Sequence, residues 1–237
     1  MIFGAILAGG VGSRMNNSDM PKQFLPLGDK PVIVHTLEKF LTCAQFDCVG
    51  IGMHPDWMTY MEDLVRKYVP HGADRVRVIA GGQDRNGTIL NIIDELERVY
   101  GESDEHIIVT HDAVRPFVTL RMIEENIAAA AAHGAVDTVS PAVDTIVASV
   151  DGKVISAIPD RSQMYQGQTP QSFRVNLLKK LYHSLTDEEK RILTDACKIC
   201  VVRDHPVYLV EGSATNIKVT TPGDYKIAQA MLGRVEE

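Results

Sequence analysis

The stretch Ile2-Phe3-Gly4-Ala5-Ile6-Leu7-Ala8-Gly9-Gly10-Val11-Gly12-Ser13-Arg14-Met15 is a short apolar strand that runs directly into a glycine-rich loop. Glycines let the backbone turn sharply and bring N–H groups against phosphate oxygens with no Cβ in the way. The spacing excludes two familiar phosphate loops. Read from Gly10 it gives Gly-x-Gly-x-x-Met, where a dinucleotide loop has Gly-x-Gly-x-x-Gly, and no Gly-Lys-Ser/Thr follows as in a P-loop. With no basic lead before its apolar run, the segment reads as a first strand and not as a signal peptide.

Outward from this strand, apolar runs of strand length alternate with amphipathic stretches of helix length. Strands are expected at 2–7, 48–53, 76–80, 107–110, 135–143 and 207–211, and helices at 32–43, 57–69, 87–100, 121–133, 174–184 and 221–232. Such alternation predicts an α/β fold with a mostly parallel twisted sheet and helices on both faces. The stripe Trp57, Met61, Leu64, Val65 and Tyr68 has helical spacing and reads as core packing. Asp151-Gly152, set between two β-prone runs, signals a hairpin. The chain therefore reads as one domain, 1–237, with a projecting β-arm at about 144–168 that reaches over a site or a neighbouring subunit.

Composition narrows the function. The chain has 237 residues, 45% hydrophobic and 23% charged, as ordinary globular proteins do. It carries 24 Lys and Arg against 31 Asp and Glu, a net charge of −7. That balance argues against binding to nucleic acid or anionic membranes, so phosphate chemistry has to come from locally placed cations. No apolar run approaches the roughly 20 residues that span a bilayer, and a cytoplasmic location is expected. The four cysteines fit a reducing compartment. Cys197-x-x-Cys200 could ligate zinc or exchange disulfides, but its apolar surroundings favour buried, inert thiols.

Three constellations carry chemistry. Arg14 and Lys22 flank the glycine loop, where they could clamp a triphosphate and the charge that develops as it is attacked. Each alone would be an ordinary solvated cation. Thr110-His111-Asp112-Ala113-Val114-Arg115-Pro116 follows an apolar strand whose carboxyl end should line the ligand crevice. There Asp112 reads as an oxygen ligand for Mg²⁺, or otherwise as a turn or cap residue, and His111 reads as structural. Gly81-Gly82-Gln83-Asp84-Arg85-Asn86-Gly87-Thr88 is a strand-to-helix turn that offers free N–H groups at the positive end of a helix, or merely a connection capped by Asp84 or Asn86. Asn216-Ile217-Lys218-Val219-Thr220 brings a further cation to the same end. No Gly-x-Ser-x-Gly elbow and no His-Glu-x-x-His pair occurs. Catalysis should thus be electrostatic, on a nucleophile that is already an anion.

Together these residues resemble the sugar-alcohol phosphate cytidylyltransferases, a family that includes the 2-C-methyl-D-erythritol 4-phosphate and ribitol-5-phosphate enzymes. The matching pieces are Leu-Ala-Gly-Gly-x-Gly-x-Arg-Met at 7–15, Pro-Lys-Gln at 21–23, Gly-Gly at 81–82 with Arg85, and His-Asp-Ala-x-Arg-Pro at 111–116. Asp-Thr at 144–145, Gln-Thr-Pro-Gln at 168–171 and Asn-Ile-Lys-Val-Thr at 216–220 complete the set. The resemblance implies a Rossmann-like nucleotidyltransferase fold, a homodimer joined through the β-arm, and transfer of CMP from CTP to a polyol phosphate with release of pyrophosphate. It implies catalytic roles for Arg14 and Lys22. It implies CTP contacts from Leu7, Ala8, Gly9, Gly10 and Gly12, from Gly81, Gly82, Gln83, Asp84, Arg85, Asn86, Gly87 and Thr88, and from Asp112, Ala113 and Arg115. Asp112 would carry Mg²⁺, and Thr145, Arg161, Thr169 and Lys218 would hold the acceptor phosphate, some of them across the dimer.

Two departures bear on the acceptor. The methylerythritol group usually has Lys two positions after Asp-Thr, where this chain has Val147. It usually has an acidic residue before Asn-Ile-Lys, where this chain has Thr215. The stretches 164–173 and 193–200 also look more like the ribitol-5-phosphate enzymes of wall teichoic acid synthesis. Ribitol 5-phosphate is therefore the expected acceptor, with the methylerythritol phosphate of isoprenoid precursor synthesis as the alternative. A nucleotide-holding module without turnover, or a nicotinamide oxidoreductase, is disfavoured by the intact cation set and by the glycine spacing.

Overall fold

A computed structural model describes residues 1–10 and 20–233; Gly12 and Arg14 of the glycine loop lie outside the described residues. In chain order the elements are β1 (Ile2–Ala8), β2 (Pro26–Leu27), β3 (Lys30–Pro31), α1 (Val32–Thr42), β4 (Cys48–Met53), α2 (Met58–Tyr68), β5 (Val76–Ala80), α3 (Arg85–Tyr100) and β6 (Ile107–Asp112). There follow α4 (Leu120–His133), β7 (Ala135–Pro141), β8 (Tyr165–Arg174), α5 (Val175–His183), α6 (Asp187–Arg191), α7 (Cys197–Val202), β9 (Tyr208–Glu211) and α8 (Pro222–Leu232).

Seven strands form one sheet in the order β5-β4-β1-β6-β8-β7-β9, while β2 and β3 make a separate short hairpin. All neighbours in the large sheet are parallel except at β8, which runs antiparallel to both β6 and β7. Helices cover both faces, as expected of a Rossmann-like nucleotidyltransferase sheet. The period of two along β1 divides the core: Ile6 and Ala8 pack toward α1, α2 and α4, and Phe3 and Ala5 pack toward α3, α5 and α7. Every residue of β4 and β6 is buried, which explains the apolar runs Cys48–Met53 and 107–109. Helices α3 and α4 stop at Gly101 and Gly134, both at positive φ, where a left-handed residue ends the helical hydrogen bonding. From β1 the chain adds β4 and β5 on one side and then returns to place β6 on the other. The switch point lies between β1 and β6, and there ligands enter sheets of this class.

The unexpected strand is β8. Its run Gln168-Thr169-Pro170-Gln171-Ser172 is too polar to read as a central strand, yet residues 169–173 are buried. A polar seam makes this possible. Thr138 donates to the Pro170 carbonyl at 2.6 Å, the Asn126 amide donates to Thr138 Oγ1 at 2.8 Å, and Ser172 donates to Asn126 Oδ1 at 3.1 Å. Buried polar groups cost little once paired. Helices α6 and α7 were also absent from the pattern, being too short to show a period.

All four cysteines are buried and unbonded to one another. The Cys197 thiol is pushed well up by burial, with Asp137 and Asp195 adding to the effect. Among the described residues no helix is long and apolar enough to cross a membrane. In the arm, Gly152 turns at positive φ while Asp151 Oδ1 accepts from the N–H groups of Lys153 and Val154 at 2.8 and 3.0 Å. The two flanks meet in one antiparallel bridge, Ala148 to Ala157, and not in a ladder. Val143, Val150, Val154, Ile155 and Ile158 stand exposed there, and a lone two-stranded ribbon is marginal in water.

Beneath β8 the Gln171 amide donates to Asp137 Oδ1 at 3.0 Å and to Asp195 Oδ2 at 2.9 Å. Burial pushes the Asp137 carboxyl up to about 6, and the Asp195 charge adds to the effect. A carboxyl raised in the folded state contributes stability at acid pH that is lost as pH climbs through the folded value, here between about 4 and about 6. Replacing Asp137→Asn is expected to stabilise the protein at pH 7.5 by on the order of 1–3 kcal/mol and to lose that advantage at pH 4. Urea unfolding at the two pH values checks this, and a variant less stable at both contradicts it.

Candidate active site

Leu7 on β1 pairs with Asp112 on β6, so the glycine loop and the turn after β6 leave the sheet side by side at the switch point. Between them lies a cavity of 360 Å³, the size of a small-molecule site. It is lined by residues 7–10, Lys22, Gln23, residues 82–85, Thr88, residues 112–114 and Lys218. Segments remote in sequence therefore converge as expected.

Each segment is held locally. Lys22 opens a single 3₁₀ turn, Lys22–Phe24. The next residue, Gln23, is buried and donates through Nε2 to the Ala8 carbonyl at 2.8 Å. This fastens the lysine-bearing turn to the end of β1. In the turn before α3, Asp84 is the N-cap, accepting from Gly87 N–H at 2.7 Å. Thr88 Oγ1 accepts from Gly82 N–H at 3.0 Å and donates to the Asp84 carbonyl at 2.8 Å. Gly82 is obligatory there, because a Cβ would sit 2.4 Å from the Gly87 carbonyl carbon and 2.8 Å from Thr88 N. Gly81, Asn86 and Gly87 do not line the cavity; Gly81 N–H donates to the Met53 carbonyl at 2.7 Å, Gly87 N–H to Asp84, and Asn86 is buried.

Electrostatics centre on Asp112, which is 8% exposed. Lys218 Nζ lies 2.9 Å and Arg115 Nε 3.4 Å from its Oδ2, and Arg85 Nη2 lies 3.6 Å from its Oδ1. Burial alone would raise this carboxyl, but Arg85, Lys218 and Arg115 more than offset that and hold it well below the usual carboxylate range. Lys22, Arg85 and Lys218 outnumber Asp84 and Asp112 along the lining and leave the crevice net positive, suited to polyphosphate. Arg85 Nη1 is buried with no hydrogen-bond partner among the described residues, a donor left over beside the cavity. His111 is fully buried, and burial holds its imidazole at about 4, so the ring is neutral.

Among the described residues no group of three or more His, Cys, Asp or Glu side chains could hold a metal. Asp112 offers a single carboxylate at the cavity wall. That donor set fits Mg²⁺ arriving on nucleotide phosphates, which keeps its waters and takes one or two carboxylates.

Arg115 lines a second cavity of 490 Å³ together with Gln168, Asn216 and Asp144, and Lys218 faces both cavities. Three expected acceptor residues are placed elsewhere. Thr145 and Arg161 are exposed on the arm and line neither cavity, and Arg161 donates to the Val143 carbonyl at 2.8 Å. Thr169 is buried, its hydroxyl turned to His111. Two lining residues, Gln23 and Val114, went unassigned in the sequence. Only the adjacency of Gln23 to Lys22 could have marked it.

The family model for 2-C-methyl-D-erythritol 4-phosphate cytidylyltransferase matches residues 2–234. Among solved structures, the chain is similar to a 4-diphosphocytidyl-2C-methyl-D-erythritol synthase at 27% identity, with a TM-score of 0.79 over 98% of each chain. The corresponding synthase of Anaerococcus prevotii is 26% identical, with a TM-score of 0.79 over 98% of this chain and 96% of that one. The 2-C-methyl-D-erythritol 4-phosphate cytidylyltransferase of Thermus thermophilus is 25% identical, with a TM-score of 0.72 over 98% of each chain.

Since no side chain can be added at Gly82 without moving the backbone of Gly87 and Thr88, Gly82→Ala should open the turn. The expected result is a CTP affinity weakened by about tenfold, near 1.4 kcal/mol, as read by calorimetry. An unchanged affinity would show that this turn does not grip the nucleotide.

Proposed function

The chain belongs to the 2-C-methyl-D-erythritol 4-phosphate cytidylyltransferase family and is a CTP-dependent nucleotidyltransferase; on that premise we propose that it transfers CMP from CTP to 2-C-methyl-D-erythritol 4-phosphate. An oxygen of the acceptor phosphate attacks the α-phosphorus of CTP and forms the new P–O bond. The bond from the α-phosphorus to the bridging oxygen breaks, and its electron pair leaves with pyrophosphate. The nucleophile is already ionised, so no base has to remove a proton. What the site supplies is position and positive charge.

The carrying observation is the convergence of Lys22, Arg85 and Lys218 on one cavity at the strand ends, where Arg85, Arg115 and Lys218 surround the depressed carboxylate of Asp112. In this reading the loop 7–10 and the turn 81–88 seat CTP, and Lys22 and Arg14 neutralise the charge growing on the α-phosphorus. When bound, Mg²⁺ supplies further neutralisation of phosphate charge, with Asp112 as its protein ligand. Lys218, which lines both cavities, and Arg115, which lines the second, meet the acceptor phosphate. Thr145 and Arg161 reach an acceptor only from the arm of a second copy, so the working unit is a homodimer whose exposed arm valines and isoleucines are covered by the partner.

The whole-chain family match supports methylerythritol phosphate, the alternative of the sequence reading, over ribitol 5-phosphate. Ribitol 5-phosphate stays as the second reading on two observations. Val147 stands where the family pattern has Lys, and Thr215, bonded to Ser213 Oγ at 2.7 Å, stands where it has an acid.

Pyrophosphate release from CTP and Mg²⁺ is expected to require an acceptor, with kcat/KM at least about tenfold higher for 2-C-methyl-D-erythritol 4-phosphate than for D-ribitol 5-phosphate. The reverse ranking selects the second reading, and no release with either sinks the proposal. Lys22→Ala should lower kcat by on the order of 10²-fold or more, as the loss of a transition-state donor does. A full rate in that variant would remove Lys22 from the clamp.

A further inference from the structure

Behind Asp112 stands a buried relay whose proton positions can be worked out. His111 Nε2 lies 3.2 Å from the Arg115 carbonyl oxygen. A carbonyl can only accept, so in the neutral ring Nε2 carries the proton and Nδ1 presents a lone pair. Nδ1 lies 2.9 Å from Thr169 Oγ1, which must therefore donate its single proton to the ring. The lone pairs of that same hydroxyl accept from the Asp112 N–H at 3.2 Å. Thr169 is only 4% exposed. With its one proton committed inward, its hydroxyl has nothing to donate to a phosphate in the crevice.

The relay sits where the strand ladder ends. Pairing between β6 and β8 runs from Ile107–Arg174 to Thr110–Gln171 and goes no further. Asp112 lies past that end, and the Thr169 side chain replaces the missing main-chain partner. Thr169 is fastened on its other side as well. Asn216 Nδ2 donates to the Thr169 carbonyl at 2.8 Å, and the Asn216 carbonyl accepts from Arg115 Nη1 at 2.7 Å. Lys218 is two residues further along that stretch of chain. Thr169 therefore stands between the two segments that bring Asp112 and Lys218 to their 2.9 Å contact.

We propose that His111 and Thr169 are positioning residues that set Asp112 against Lys218, and that the Thr169 hydroxyl is not an acceptor-phosphate contact. The proposal rests on the cytidylyltransferase reading and redefines one of the roles carried over by resemblance. A hydroxyl that binds substrate would act on KM for the acceptor. One that aims a group at the reacting atoms acts on kcat.

The test compares Thr169→Val, which keeps the shape and loses the hydroxyl, with Thr169→Ser, which keeps the hydroxyl. Steady-state pyrophosphate release and ¹⁵N NMR of the histidine rings are both read. Thr169→Val is expected to lower kcat by about tenfold or more, the usual loss when a supporting hydrogen bond is removed, with the acceptor KM within about twofold of wild type. Thr169→Ser should recover most of that loss. In the wild type, His111 should be the Nε2-protonated tautomer, and its Nδ1 resonance should move in Thr169→Val as the hydrogen bond is lost. A raised acceptor KM, an unchanged kcat, or an Nδ1-protonated His111 in the wild type overturns the proposal. The last readout needs neither turnover nor a folded variant. If wild type releases no pyrophosphate, the functional reading fails while the tautomer still tests the relay.

Discussion

The site depends on one buried carboxylate that gathers three cations. Desolvation disfavours an ionised Asp112, and it stays ionised because Lys218, Arg115 and Arg85 surround it. The attraction works in both directions. Arg115 and Arg85 are themselves mostly buried, and cations of one sign could not stand so close without a counter-charge between them. The carboxylate thus preorganises a positive crevice before any ligand arrives, which is what an electrostatic catalyst needs. Its place at the end of β6, opposite Leu7 of β1, puts this charge at the point where the winding of the sheet leaves a gap between two loops.

Much of this was legible in the chain itself. Strands announce themselves as short apolar runs, so the buried β4 and the edge strand β5 fall at their expected bounds and β1 and β6 extend only slightly past theirs. Glycine turns placed after strands gave the crevice, because position relative to a strand end is a matter of sequence order. The polar strand β8 was not legible. Its burial is made tolerable by Asn126 and Thr138, partners that lie far off in the chain. The same limit hid the separate work of neighbours. Asp84 caps α3 while Arg85 meets Asp112, and Gln23 ties down the turn that Lys22 begins. A one-dimensional pattern marks which residues gather. It does not say which of them face inward.

The acceptor side shows that limit most clearly. Lys218 lines both cavities and Arg115 the second, whereas Thr145 and Arg161 belong to an arm whose apolar side chains face solvent in a single copy. Where an exposed arm points depends on what it packs against, and the spacing of residues along the chain does not encode that. The choice between two polyol phosphates also turns on few groups. Val147 and Thr215 stand where the methylerythritol group usually carries a positive and a negative charge, and neither lines the second cavity.

The central claim is that the crevice at the ends of β1 and β6 holds the nucleotide. A crystal structure of the protein with CTP and Mg²⁺ tests it most directly. The account predicts triphosphate density between residues 7–10 and the start of α3, with Lys22, Arg85 and Lys218 turned onto the phosphates and Asp112 toward the metal. Nucleotide bound elsewhere, or these side chains turned away from its phosphates, would contradict it.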